Sequence, residues 1–486
     1  MNKNSLLLQI HTLIWFNELK NSKNEYNSLS KLDEIPVTVW QTYKDLGFDA
    51  LYLLGIWKVD TLTKEIFTKK GLKKELDEVL PDWHWSDTSG SPFSINEYII
   101  NPSLGDEKTL KNVHKTLNSI GLNLIVDFVP NHFGLQTPFT EKDNFFIEEQ
   151  NYSDSTKDYD VIKTLKGTKA IYHGRDPYFP PWEDTFQVDF SNNETRIFMI
   201  NQLLSIAEVS DGVRCDMAML LVTRIFKQTW NKKLSGELQD EFWEEAIKTV
   251  KKIYPLFTFI AEVYWDMEQE LMDQGFDFCY DKKIYDALRD RNNESLQWCL
   301  TRDKSFQEKT VRFLENHDET RAVIIFNNDI YLAAMILTYT TPGLKIFHEN
   351  QLEGFATKTS LFLSRKKLEE INPKIKNYYD SLFSNIYKDI LKTGTFEYKK
   401  DIQFLKNKEH LTTGLYCWQW HNNEIKVNFI VNFTNNEKIV ELIPEISELT
   451  LIIHSNTFQN KKVSKQNEKN LKFAIAPYGV LVFTYS

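Results

Sequence analysis

Cysteine is scarce and scattered: Cys215, Cys279, Cys299 and Cys417 show no C-x-x-C spacing. Neither a zinc site nor a disulfide framework is indicated, and a reducing compartment fits. No apolar run approaches the ~18 residues needed to span a bilayer, so no membrane association is expected. Concentrated positive charge is missing as well. With a net charge of -10 and acidic and basic residues interspersed, there is no basic stripe for a nucleic-acid backbone. Internal repeats, Gly/Ser linkers and low-complexity tracts are absent beyond a general Asn/Lys bias. The N-terminal LLLQIHTLIWF has the apolarity of a signal-peptide core, yet it contains Gln9 and His11 and no small-x-small site follows. It reads as the first strand of the fold, and the protein as cytoplasmic.

What is present is bulk. The 486 residues are 42% hydrophobic and 14% aromatic, enough for one large domain and one or two small ones. Twelve Trp, 21 Tyr and 33 Phe exceed what a core of this size needs, and aromatic faces suit the C–H faces of sugar rings, although most of them are ordinary core. Short apolar runs alternate with helical patterns: QIHTLIWF, ALYLLGIW, NLIVDFV, GVRCDM, FTFIAEV, FDFCY, VRFLEN and GLKIFH. Eight such strands predict a closed (β/α)8 barrel over 1-131 and 191-384. Residues 132-190, rich in Asp, Tyr, Pro and Gly, are too long for a helix crossover and predict an excursion after the third strand. From 385 to 486 the pattern changes to short β-type runs such as GLYCWQW and GVLVFTYS, predicting a C-terminal antiparallel β-sandwich.

In barrels the reacting groups stand at the C-terminal strand ends, and here those ends are acidic. In GVRCDM, Arg214 and Asp216 share a face because strand side chains alternate, and a guanidinium beside a carboxylate keeps it ionised. A plain structural ion pair is the equal alternative. Glu262 ends the apolar run FTFIAEV, where partial desolvation suits a proton donor, with Trp265 three residues on as an apolar wall; a lone strand-end Glu is also a common loop or helix cap. VRFLENHDETR gathers Asn316, His317, Asp318 and Arg321, a polar density no core requires, though Asp318 alone reads as an N-cap. NLIVDFVPNH contributes Asp127, a candidate for bracing neighbouring loops, and His132 beyond Pro130.

The four segments DFVPNH, GVRCDMA, FIAEV and FLENHD, in this order, resemble the conserved regions of the α-amylase family, glycoside hydrolase family 13. FQVDFSN around Asp189 and SGSPFSINEY resemble two further motifs of that family. The resemblance covers roughly residues 8 to 380. It implies Asp216 as nucleophile, Glu262 as general acid/base and Asp318 as the carboxylate that binds sugar hydroxyls and stabilises the transition state. Phe93, Asp127, His132, Arg214, Trp265 and His317 would line the subsite of the reacting sugar. Retaining enzymes need their two carboxyl groups about 5 to 5.5 Å apart, one attacking and one protonating. No cofactor is required, but Asn131 matches a calcium-ligating position of many relatives, and Asp189 is a second candidate ligand.

Two departures from the family stand out. Phe93 occupies a position where relatives often carry Tyr. After the nucleophile the chain reads Asp216-Met217-Ala218-Met219-Leu220, where many starch-degrading relatives have a Lys-His pair. Without polar donors there, and with Tyr178, Phe179 and Trp182 near the end of the excursion, short oligosaccharides or small glucosides are the expected substrates. The expected activity is hydrolysis of α-glucosidic bonds. The same carboxylates also serve transglycosylation or phosphorolysis, and a non-catalytic binding or transporter-associated module is the rival from another class, set against by the presence of all three acids.

Overall fold

The N-terminal apolar run divides in two. In the computed structural model only Leu6–His11 is a strand (β1), and Thr12–Ser22 turns at once into a helix. The sequence run suggested a strand continuing to Phe16. A short apolar stretch does not distinguish the two states, and here Thr12 decides it by donating its hydroxyl to the carbonyl of Leu54 at 2.8 Å. The structure describes residues 1–22, 24–238, 240–386, 389–398, 413–443, 446, 448–464 and 471–485.

Seven further strands follow: β2 (Ala50–Leu54), β3 (Asn123–Phe128), β4 (Gly212–Cys215), β5 (Thr258–Ala261), β6 (Phe278–Tyr280), β7 (Thr310–Arg312) and β8 (Leu344–His348). They close a parallel barrel in chain order. Almost every residue of these strands is buried, as parallel strands covered on both faces must be. Gly212 opens β4 because a side chain there would bring Cβ to 2.5 Å from the carbonyl oxygen of Thr258.

By internal packing the chain forms two units. One comprises Met1, Leu8–Tyr280 and Thr357–Leu368, the other Asn2–Leu7, Asp281–Ala356 and Glu369–Ser486. Within the first, the loop after β2 carries two helices, Lys64–Lys69 and Leu72–Val79, and an antiparallel pair, Trp57–Val59 with Ile95–Ile100. Sequence periodicity gave no hint of this insertion. The excursion after β3 is stitched by His132–Gly134 pairing with Thr185–Gln187 and carries a hairpin, Tyr159–Thr164 with Gly167–Tyr172. Its rings, Phe133, Phe139, Phe145 and Phe146, pack edge to face or tilted at centroid distances of 4.9 to 6.4 Å, which accounts for part of the aromatic excess.

In the second unit, Thr395–Tyr398, Leu415–His421, Lys426–Asn432, Val480–Thr484, Glu448–His454 and Thr457–Ser464 form one sheet in that order, and Lys438–Glu441 pairs with Lys472–Ile475 in another. Ile430, Leu442, Ile475, Leu481 and Phe483 are fully buried in their shared core. These strands are tied to barrel elements of the same unit. Trp420 donates Nε1–H to the carbonyl of Thr340 at 2.6 Å, and Asn293 donates to the carbonyl of Phe433 at 3.1 Å while accepting the hydroxyl of Tyr416 at 2.8 Å. Among the described residues no helix is long and apolar enough to cross a membrane.

Candidate active site

One guanidinium holds two of the predicted carboxylates. The parallel register sets Arg214 opposite Ile260 and Cys215 opposite Ala261, so Asp216 and Glu262 leave β4 and β5 at the same level. Arg214, 1% exposed, reaches Asp216 Oδ1 through Nη1 and Glu262 Oε2 through Nη2, both at 2.7 Å. A third carboxylate, Asp127, lies 3.7 Å from Nη1. One buried cation thus faces three buried carboxyl groups. Burial pushes the Asp216 carboxyl well above the usual range, and the charges of Glu262 and Asp127 add to that effect against the pull of Arg214. The sequence suggested that Arg214 keeps Asp216 ionised. In the structure its charge is divided, and burial outweighs it.

Glu262 is fixed at both oxygens. Its Oε2 also accepts the backbone N–H of Met217 at 2.8 Å, and Oε1 accepts the hydroxyl of Tyr264 at 2.8 Å. Its main chain binds the same turn, since Ala218 N–H donates to the Glu262 carbonyl at 2.9 Å. Met217 adopts φ 43°, an uncommon conformation for a side chain of this size. Neither Tyr264 nor the Met217 amide was evident in the sequence. A tyrosine two residues after a strand-end glutamate, on the same face by alternation, was the available signal.

Asp127, expected against the sugar, is wholly enclosed. It points from β3 beneath Arg214, accepting from the Tyr52 hydroxyl and from Gly55 N–H at 3.2 Å. This is the placement of a brace, the alternative its motif had left open. Phe93 presents its ring to Arg214, 5.2 Å from the guanidinium carbon. His132 is buried beside Trp182, with ring centroids 5.1 Å apart. Burial pushes its pKa down to about 4 against the charge of Asp184 and a hydrogen bond to the Phe93 backbone, so at neutral pH the ring is uncharged. Trp265, at φ 63°, stands edge-on to exposed Tyr178 at 5.0 Å, joining the loop after β5 to the end of the excursion.

His317 and Asp318 lie in the second unit, in the loop after β7. His317 is buried with Nε2 3.0 Å from Asp318 Oδ2, while the Asp318 side chain is 41% exposed. Asn316 shapes this loop by accepting the N–H groups of Asp318 and Glu319 at 2.9 and 3.0 Å. Beneath it Glu315, absent from the predicted set, pairs with Arg321 at 3.1 Å and accepts Ala322 N–H at 2.6 Å.

Asn131 and Asp189 do not form a calcium cage. Asn131 Oδ1 accepts from Gln187 Nε2 at 3.1 Å. Asp189 Oδ1 accepts Ser191 N–H and hydroxyl at 2.9 and 2.6 Å, and Oδ2 accepts Ser235 N–H at 2.9 Å. Both residues are enclosed, and among the described residues no three His, Cys, Asp or Glu gather as metal ligands. The donor set present does not fit the ion.

Barrel, C-terminal sheets and the four strand-end motifs in their order give the chain the fold of solved α-amylases and keep its resemblance to the α-amylase family. Among curated proteins it is similar to a cyclomaltodextrinase of Geobacillus thermopakistaniensis, 21% identical over 310 residues, 61% of this chain and 44% of that protein. The chain thus spans less than half the length of that relative. Among solved structures it is similar to a noncanonic maltogenic α-amylase from Thermotoga neapolitana, with TM-score 0.66, 18% identity and coverage of 100% and 99% of the two chains. An α-amylase from Lactobacillus plantarum gives TM-score 0.64, 17% identity and coverage of 100% and 99%. No family model matches the chain.

Proposed function

We propose that the protein hydrolyses α-glucosidic bonds of short oligosaccharides or small glucosides with retention of configuration. The observation that carries this reading is the sharing of Arg214 by Asp216 and Glu262 at adjacent strand ends. Double displacement requires two carboxyl groups, one attacking and one carrying a mobile proton, and the shared guanidinium holds a pair of them together. In the reaction Glu262 gives a proton to the leaving oxygen as Asp216 attacks the anomeric carbon. With the proton on Glu262, Asp216 reacts as the anion, held by Arg214 and facing the positive charge that develops on the substrate. Water activated by Glu262 then releases the sugar from Asp216 and restores the proton. Asp318 is assigned to the sugar hydroxyls, as the family resemblance implies. Neutral His132, one ring nitrogen of which is engaged by the Phe93 backbone, presents the other to the reacting ring, and Phe93 covers its C–H face.

Product configuration tests the mechanism. Proton NMR of the first minutes of turnover should show the α-anomer ahead of mutarotation, whereas initial release of the β-anomer would exclude double displacement. Adding phosphate or a sugar acceptor separates hydrolysis from phosphorolysis and transglycosylation, since hydrolysis leaves the product unchanged. For substrate size, the apolar run after Asp216 and the Tyr178–Trp265 contact favour a closed acceptor side. The kcat/KM should stay flat or fall from maltose through maltoheptaose to soluble starch. A steep rise would mark an open cleft. Four buried cysteines, none in a disulfide, suit a reducing, cytoplasmic setting for the enzyme.

A further inference from the structure

The loop that carries His317 and Asp318 is closed at its base by one ion pair. Glu315, at its start, and Arg321, at its end, are both buried. Arg321 Nη2 lies 3.1 Å from Glu315 Oε1, and the next residue, Ala322, donates its N–H to Oε2 at 2.6 Å. Among the described residues Arg321 is the one cation paired with that carboxyl.

The same guanidinium reaches the loop after β8. Nη2 donates to the carbonyl of Glu349 at 3.0 Å and Nε to the carbonyl of Phe355 at 3.2 Å, so both ends of that loop are bound to it. Between them Gln351 is pinned: Oε1 accepts His348 N–H at 2.9 Å, and Nε2 donates to the hydroxyls of Tyr339 and Tyr379, both at 2.6 Å. Gly354, at φ 70°, lies against the start of the helix Pro373–Ser381, where a Cβ would come to 2.8 Å from Asn372 and Ile375. The loop after β8 is therefore a fixed wall, and Arg321 fastens the Asp318 loop to it. On its other side the Asp318 loop is tied through Glu319, whose Oε1 lies 3.1 Å from Lys282 Nζ.

This loop has a locked base and an open tip, since the Asp318 side chain is the exposed member beside buried Asn316, His317 and Arg321. A carboxylate that must meet particular hydroxyls gains from being held in one direction before the ligand arrives. A guanidinium that grips a carboxylate and two carbonyls at once fixes such a direction, because its donors form a rigid planar fork. We propose that Arg321 is a positioning residue for the reaction: with Glu315 and the loop after β8 it aims the His317–Asp318 pair at adjacent hydroxyls of the reacting sugar, without touching the sugar itself. The inference rests on the glycosidase reading above and on its assignment of Asp318.

Glucosides with and without one of those hydroxyls separate aim from mere stability. In Arg321→Lys and Glu315→Gln, kcat/KM on 4-nitrophenyl α-glucoside should fall about tenfold, whereas on 4-nitrophenyl 2-deoxy-α-glucoside it should stay near wild type. Ala322→Pro keeps both charges of the pair and removes only the N–H on Oε2. Proline suits the first position of a helix, and Arg321, at φ −53° and ψ 135°, already has the backbone of a residue before proline. It should shift the same ratio in the same direction, and it decides the matter if the other two variants do not fold. Adding Arg321→Lys to Asp318→Asn should not lower the ratio further, since both act through one carboxylate. Equal losses on the two glucosides, an unchanged ratio, or a further fall in the double variant would reduce the pair to a structural brace and overturn the proposal. Calorimetric titration of methyl α-glucoside and its 2-deoxy analogue into Asp216→Asn protein needs no turnover. Equal affinities for the two would also overturn it. Tighter binding of the first, lost in Asp216→Asn/Arg321→Lys, in a wild type that cleaves neither aryl glucoside would reject the glycosidase reading and leave the positioning role standing.

Discussion

The backbone N–H of Met217 points at Glu262 Oε2 from 2.8 Å. The residue after one carboxylate thereby orients the other, and the φ of 43° at Met217 is what aims the amide. Held there and by Arg214, Oε2 has two firm donors, while Oε1 accepts the Tyr264 hydroxyl at 2.8 Å and is the oxygen assigned to proton exchange with a substrate.

Exchanging either carboxyl for an amide should separate the two roles. Asp216→Asn should fold normally and lose at least about a thousandfold in kcat/KM on all substrates. Glu262→Gln should lose least on aryl α-glucosides with good leaving groups, for which protonation is least needed. Steady-state kinetics on a leaving-group series checks both, and equal losses across the series would remove Glu262 from the acid's position.

Tyr264→Phe deletes the donor at Oε1. A hydrogen bond to a charged group contributes about 1.5–3 kcal/mol, so kcat should fall some 10- to 100-fold. The KM should move little, since the hydroxyl faces Glu262 rather than the bound sugar. A change confined to KM would make Tyr264 a substrate contact instead.

Asp60 gives stability a pH signature. Its folded pKa, about 7, lies above the ordinary 3.8, so its contribution is present below pH 4 and lost as the pH rises toward and past 7. His132 runs the other way: its folded value of about 4 lies below the ordinary 6.5, so its contribution is present above 6.5 and lost as the pH falls through 4. Asp60→Asn should therefore melt above the wild type at pH 8, by no more than about 4 kcal/mol, with the gap closing by pH 4. Calorimetry at the two pH values reads it. A constant gap would mean that the buried carboxyl does not titrate.

Removing divalent ions should change nothing. Because the oxygens of Asn131 and Asp189 are engaged by Gln187, Ser191 and Ser235, dialysis against EDTA should leave the melting temperature and kcat within error of the untreated protein. A fall reversed by calcium would show that these contacts rearrange around an ion.

The barrel and its acidic strand ends were legible because both are local. Fully apolar runs alternate with helical ones, and a carboxylate at a strand end violates the run that precedes it. Asp216 and Glu262 follow from that logic. The partition of Arg214 between them does not, since it depends on the register of β4 against β5. Asp127 shows the same limit from the other side: its motif marked it, but only the approach of Tyr52 from a strand 75 residues away showed it to be enclosed. Asp60 and the helices of the insertion carried no signal at all. Their short apolar spacing matches an ordinary surface loop until Gly134 comes against the carboxyl.

The bonds from Trp420 to Thr340 and from Asn293 to Phe433 and Tyr416 have a bearing on how such chains can be recombined. Half of each pair belongs to barrel segments and half to the C-terminal strands. A cut before residue 395 would expose the Trp420 partner surface on one fragment and leave a buried indole N–H without an acceptor on the other. In a chimera the C-terminal strands must travel with the segment from Asp281 to Ala356, and a crossover at the end of β6 keeps the two together where a crossover at the end of the barrel does not.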